Sequence, residues 1–176
     1  GLSTVKLHLQ GQKSFTITTD EKGNYSFPEM DGGGTYMLKP EKNTHPLNGV
    51  STLDIILLSQ HLLGTQEFTT PHQYIAADVT KDGRLSVSDM MEIRQLILDK
   101  MDQYSNNNSW RFIDGNFEFP QRVNPLRAQI PESYLISELT EDMKINFVGI
   151  KVGDINGDAS PNDLPSSGIR SAQSMV

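Results

Sequence analysis

The stretch Asp78-Val-Thr-Lys-Asp-Gly-Arg-Leu-Ser-Val-Ser-Asp89 is followed at once by Met90-Met-Glu-Ile-Arg-Gln-Leu-Ile-Leu-Asp-Lys-Met101. Oxygen-bearing side chains occupy loop positions 1 (Asp78), 3 (Thr80), 5 (Asp82), 9 (Ser86) and 12 (Asp89), with Gly83 at position 6. A calcium loop needs this spacing. Alternate side chains converge on one ion, glycine permits the sharp turn, and position 7, Arg84, lends its backbone carbonyl. Asp89 closes the shell from the first turn of the next helix, where the helix N-terminus favours negative charge. Threonine at position 3 and the short aspartate at position 12 depart from the common helical calcium hand, which prefers Asp or Asn and a bidentate glutamate. An ordinary Asp-Gly turn before an acidic helix start explains each residue singly. It does not explain five ligand positions and the glycine together.

The pattern recurs upstream. Asn48-Gly-Val-Ser-Thr-Leu-Asp-Ile-Ile-Leu-Leu-Ser-Gln-His-Leu-Leu-Gly64 resembles Asp82 to Leu98, and superposing Asp54 on Asp89 puts Val50 opposite Leu85 and Ser51 opposite Ser86, a repeat of about 35 residues. The paired loop–helix units resemble the type I dockerin family. That resemblance implies two Ca2+ sites, and recognition of a cohesin-type receptor through positions 10 and 11, here Thr52-Leu53 and Val87-Ser88. In the first unit, however, positions 1, 3 and 5 are Asn43, His45 and Leu47, and leucine cannot ligate. Gly153-Asp-Ile-Asn-Gly-Asp158 supplies the missing Asp-x-Asn-x-Asp start, but Ala-Ser-Pro-Asn-Asp-Leu-Pro follows it in place of a helix. A split site is therefore expected: Asp154, Asn156 and Asp158 give positions 1, 3 and 5, and Asp54 closes the shell. The alternative is a surface turn or a separate weak site at 154–158.

The flanks read as β-structure. Val5, Leu7 and Leu9 alternate with Lys6, His8 and Gln10, and Phe15 and Ile17 continue the alternation after a turn. Strands are also expected at Tyr25–Phe27 and Tyr36–Pro40. Thr18-Thr-Asp-Glu-Lys-Gly-Asn-Tyr-Ser-Phe27 with Thr35-Tyr-Met-Leu-Lys-Pro40 is similar to the carboxypeptidase-regulatory or transthyretin-like β-sandwich, which implies a further strand before Ser3. Downstream, Trp110–Ile113 and Asn116–Phe119 predict a hairpin on the Asp114-Gly115 turn. Pro131–Leu139 predicts a short helix with proline at its first position, and Lys144–Val152 a central strand. The expected fold class is α+β: an antiparallel sandwich, immunoglobulin- or transthyretin-like, with an inserted dockerin-like pair. Its parts are residues 1–42 (first half of the sandwich), 43–103 (calcium loop–helix pair), 104–153 (completing strands) and 154–176 (ligand segment and tail).

Composition narrows the function. A net charge of −7 without a Lys/Arg cluster argues against nucleic acid and suits divalent cations. No apolar run approaches the roughly 18 residues of a membrane span. The start, Gly-Leu-Ser-Thr-Val, is no signal peptide, so if the protein is exported the signal is expected outside this sequence or already removed. With no cysteine, disulfides and thiolate sites are out and metal is the available staple. No nucleophile elbow, zinc-protease helix, phosphate loop or dinucleotide fingerprint occurs, and His8, His45, His61 and His72 are scattered. Trp110 and Phe112 are expected in the core rather than on a sugar platform. Asn24 and Asn107 head glycosylation sequons.

The composite is similar to modules of long secreted bacterial surface proteins. It implies a non-enzymatic, calcium-stabilised extracellular module: a surface stalk, adhesin segment or filament subunit whose partners are its own copies or neighbouring repeats. Residues 165–176, with Ile169 and Met175 as anchors, would donate a strand between subunits. Two other readings are carried: an adaptor docking on a cohesin-type receptor, with the helices expected to be enclosed in the larger domain, and a carbohydrate-binding accessory domain.

Overall fold

The computed structural model describes residues 1–28, 30, 32–120 and 124–162. In chain order the elements are β1 (Lys6–Gln10), β2 (Phe15–Thr18), β3 (Tyr36–Glu41), α1 (Thr52–Leu62), α2 (Pro71–Ala77), α3 (Val87–Ile97), β4 (Trp110–Asp114), a 3-10 turn (Pro125–Arg127), β5 (Tyr134–Ile136) and β6 (Phe147–Lys151). Alternating side chains set the first sheet. It is antiparallel in the order β2-β1-β3-β5, with Leu7 opposite Ile17 and Pro40, and Leu9 opposite Phe15 and Leu38. Leu7, Leu9, Tyr36, Leu38 and Ile136 form its buried face. The second sheet is the β4–β6 ribbon, with Trp110 opposite Lys151 and Asp114 opposite Phe147. Phe147 packs both against the first sheet and into the cluster of Val5, Trp110 and Phe112. Ile113 and Ile150 pack on Ile75 and Ala76 of α2.

The helices form as their capping signals dictate. Ser51 and Ser86 cap α1 and α3, each in a capping box closed by the aspartate three residues on, Asp54 or Asp89. Their apolar faces meet at Leu58, Ile93 and Leu96, which join Ala77, Val79, Tyr104, Val152 and Ile155 in one core. No helix among the described residues is long and apolar enough to cross a membrane.

Four local expectations are corrected. Tyr25 and Phe27 are not in a strand. The Asp20 carboxylate accepts the amides of Lys22 and Asn24, which holds a turn, and the two rings pack edge-to-face onto the sheet core. The Asp114-Gly115 turn exists, with Phe117 N donating to the Asp114 carbonyl, but no strand returns from it. β4 takes β6 as its partner instead, and Phe117 and Phe119 pack beneath Ile113 and Ile150. Residues 134–136 form a strand rather than a helix, since Tyr-Leu-Ile suits the open edge of β3. β6 lies in a two-stranded ribbon and is not central; Val148 is 40% exposed. The tail with Ile169 and Met175 lies outside the described residues.

Gly153 marks where the ribbon meets the helices. Its φ is +87°, its N–H donates to the Ala76 carbonyl at 2.8 Å, and a Cβ there would lie 2.0 Å from the Tyr104 hydroxyl oxygen. Gly153→Ala is expected to cost about 3 kcal/mol, from left-handed strain plus the clash. Adding Tyr104→Phe removes the clashing oxygen and should return part of that loss. Urea denaturation of both variants in calcium checks it.

Candidate metal centres

α2 ends at Ala77 with Asp78 as its C-cap, and the chain turns through Lys81 (φ 57°) and Gly83 (φ 78°) before Ser86 caps the start of α3. Asp78 and Asp89 are buried, at 2% and 0% exposure. Asp78 Oδ1 accepts the Asp82 amide (3.1 Å) and Oδ2 the Gly83 amide (3.2 Å). Asp89 Oδ1 accepts the Thr80 amide (3.1 Å) and hydroxyl (2.9 Å), while Oδ2 accepts the Ser86 amide (2.9 Å). Asp82 is exposed and its carboxylate accepts the Arg84 amide; Arg84 is exposed too. The loop thus gathers Asp78, Thr80, Ser86 and Asp89 and leaves Asp82 at its rim.

The C-terminal segment reproduces this arrangement with Asp54. Asp154 Oδ1 accepts the Asp158 amide (3.1 Å) and Oδ2 the Ala159 amide (2.9 Å), as Asp78 does with Asp82 and Gly83. Asp54 Oδ1 accepts the Asn156 amide (3.4 Å) and Oδ2 the Ser51 amide (2.8 Å), as Asp89 does with Thr80 and Ser86. Gly157 (φ 74°) takes the left-handed position of Lys81. The Ile155 amide adds a bond of 2.7 Å to Asp54. Where the loop motif passes from one stretch of chain to the other, between 159 and 49, Asn48 bridges the gap. Its Oδ1 accepts the Ser160 amide and its Nδ2 donates to the Ser160 carbonyl. Gly49 passes so close that a Cβ would lie 2.6 Å from the Ala159 Cα. Asn43, aligned with position 1, is occupied elsewhere, accepting the Ser109 amide. Asn156 and Asp158 are exposed, and the Asn156 side-chain amide donates to Asp158.

Among the described residues no three His, Cys, Asp or Glu side chains gather in one place. Each centre instead joins two buried carboxylates to side-chain hydroxyls, Thr80 and Ser86 at one and Ser51 at the other. That all-oxygen set fits calcium, a hard cation. Burial, then the charge of Asp89, pushes the Asp78 carboxyl above its ordinary value, against the Gly83 and Asp82 amides and Arg111. Burial and, more weakly, Asp54 do the same to Asp154, against three amides. Paired carboxylates held this far from water are short of positive charge, which a divalent ion supplies.

Residues 48–98 match the dockerin type I domain family model. The match covers less than a third of the 176 residues. Dockerin type I domains bind calcium and are not catalytic, and the matched segment leaves Asp154, Asn156 and Asp158 outside it. No curated protein matches the chain, and no solved structure does. The dockerin-like helices are less enclosed than expected. Thr52, Leu53, Val87 and Ser88 are all exposed, Leu53 by 46% and Val87 by 63%. Trp110 and Phe112 are core residues. Asn107 is buried, with its amide on the Asp78 carbonyl, so of the two sequons only Asn24 is accessible.

Sequence reasoning missed two cations near the carboxylate pairs. Lys151 Nζ donates to the carbonyls of Pro46 (2.6 Å) and Val152 (3.1 Å), and burial pulls its pKa down to about 8 against the charges of Asp154 and Asp54. Arg111 sits beside Asp78. Neither carries a local signal.

Asp54→Asn and Asp154→Asn should each remove one and the same calcium, and the double variant no more than that; calorimetric stoichiometry checks it. The calcium-dependent gain in melting temperature should also fade with acid sooner than ordinary aspartates allow. The folded-state pKa values of Asp78 and Asp154 are raised, so protons displace the ion early. In chelator the sign reverses, because protonation relieves the cost of burying these groups as pH falls. Melting curves across pH, with and without calcium, separate the two.

Proposed function

We propose that this chain is a calcium-clamped, non-enzymatic structural module of an extracellular bacterial protein, a surface stalk, adhesin segment or filament subunit. The observation that carries the reading is the Asp54 carboxylate holding the amides of Ile155 and Asn156 across the length of the chain. An ion at that point fastens segment 154–162 to α1. Asn162 extends the fastening to the N-terminal end, accepting the Ser3 amide and donating to the carbonyls of Gly1 and Glu21. Such an ion binds only the folded state, and at a hundredfold excess over its Kd it adds about 2.7 kcal/mol. Kinship of the sheets to immunoglobulin- or transthyretin-like sandwiches belongs to the same reading. Self-assembly by strand donation would use β2 or β5, the edges of the four-stranded sheet, as acceptor.

A second reading has its own observation. The receptor-reading positions Thr52, Leu53, Val87 and Ser88 are exposed, and so are Ile56 and Met91, equivalent residues of the repeat. This is the surface of an adaptor for a cohesin-type domain.

Two experiments divide these readings. Under the first, limited proteolysis spares residues 154–162 in calcium and cuts there first in chelator, and negative-stain images show assemblies that come apart on chelation. A chain cut equally in both conditions would overturn the clamp. Under the second, a cohesin-type domain captures the chain in calcium, and Leu53→Asp with Val87→Asp cuts capture by more than about tenfold.

A further inference from the structure

Arg111 has no place in a calcium loop, yet it reaches the first ligand of one. It projects from β4 with its side chain 10% exposed, and β6 fixes its backbone opposite Ile150. Its Nη1 lies 4.0 Å from Asp78 Oδ2, while Nε and Nη2 donate to Glu132 Oε1 at 2.8 and 2.7 Å. The other oxygen of Glu132 accepts Lys81 Nζ at 2.9 Å. Lys81 is loop position 4. Charges therefore alternate along Asp78, Arg111, Glu132 and Lys81, a chain that leaves the loop and returns to it. We infer that Arg111 is a resident counter-cation that competes with calcium at the 78–89 loop, and that Glu132 is the positioning residue governing how strongly it competes. The inference rests on the calcium reading of that loop.

Without metal, the guanidinium offsets part of the repulsion between the buried carboxylates of Asp78 and Asp89. Once a divalent ion sits on Asp78, the same guanidinium faces a like charge. Because it is largely buried, salt screens that repulsion poorly. Glu132 opposes the effect by taking two of the donors and holding the group short of a hydrogen bond with Asp78. Burial works to raise the Glu132 carboxyl, but the bonds and charges of Lys81 and Arg111 hold it below its ordinary value, so it stays ionised for this task.

The test is calcium titration calorimetry on the full chain, taking the loop's binding step to be the one that Asp89→Asn abolishes. Arg111→Gln should bind calcium at least about tenfold tighter at that step and melt lower in chelator. Glu132→Gln should bind at least about fivefold weaker, since the guanidinium turns to Asp78 and Lys81 loses its partner. The other step should not move. A purely structural role for the pair weakens binding in both variants, so opposite signs are the discriminating result. If Arg111→Gln fails to fold in chelator, its affinity is read by chelator competition from the calcium-loaded protein. Weaker binding by Arg111→Gln, or unweakened binding by Glu132→Gln, overturns the inference. A wild-type chain with no step that Asp89→Asn removes overturns the calcium reading itself, which is a different result.

Discussion

Most of this structure depends on a carboxylate in the first turn of α1 that has almost no water to solvate it. Asp54 is fully buried and its oxygens are committed to Ser51 of its own helix and to the amides of Ile155 and Asn156. A buried charge without partners costs several kcal/mol, so the fold must bring residues 155 and 156 to it. Closing a chain segment of 101 residues rather than a dozen costs about 2 kcal/mol more in loop entropy. That cost does not fall on the site alone. β6 pairs with β4, Val152 N donates to the Ser109 carbonyl and Gly153 N to that of Ala76. By the time the chain reaches Asp154, the ribbon has already delivered it to the helices.

The two centres then differ more in connection than in local geometry. Four hydrogen bonds of the 78–89 loop recur with the same donors and acceptors at Asp154 and Asp54, and a left-handed residue stands at the same step in both. In the continuous loop the chain itself joins the two halves. The divided one needs Asn48 on Ser160 and the contact of Gly49 with Ala159 to replace the missing covalent link.

What the sequence made legible follows from this contrast. Ligand spacing, caps and alternation are local, and Asp78–Asp89, α1, α3 and β1 were readable from them. The meeting of Asp54 with residues 155 and 156 was readable too, because each half carries a recognisable remnant of the same motif. The failures were contests between local and distant partners. Asp114-Gly115 promised a hairpin, yet β4 found a more apolar partner in β6. Pro131 promised a helix, yet Tyr134 to Ile136 had a strand edge to complete. α2 did carry its signature, Thr70-Pro71-His-Gln73 with a reciprocal cap, but seven residues are too few for helical periodicity to declare itself. Arg111, Glu132 and Lys151 were invisible because nothing near them in sequence explains a buried charge.

Those cations give the architecture an electrostatic logic. Four carboxylates are buried in a chain of net charge −7, and the ribbon between sheet and helices carries one cation toward each pair. Arg111 on β4 lies beside Asp78, and Lys151, from the adjacent strand, is within reach of the fields of Asp54 and Asp154. A small metal domain without such groups unfolds when stripped, because nothing else neutralises its ligands. Here the metal-free protein retains a partial counter-charge at each centre, together with apolar cores that do not involve the ligands. Calcium on this view does not create the fold. An ion at the second centre would complete that compensation where residues 155 and 156 meet the first helix.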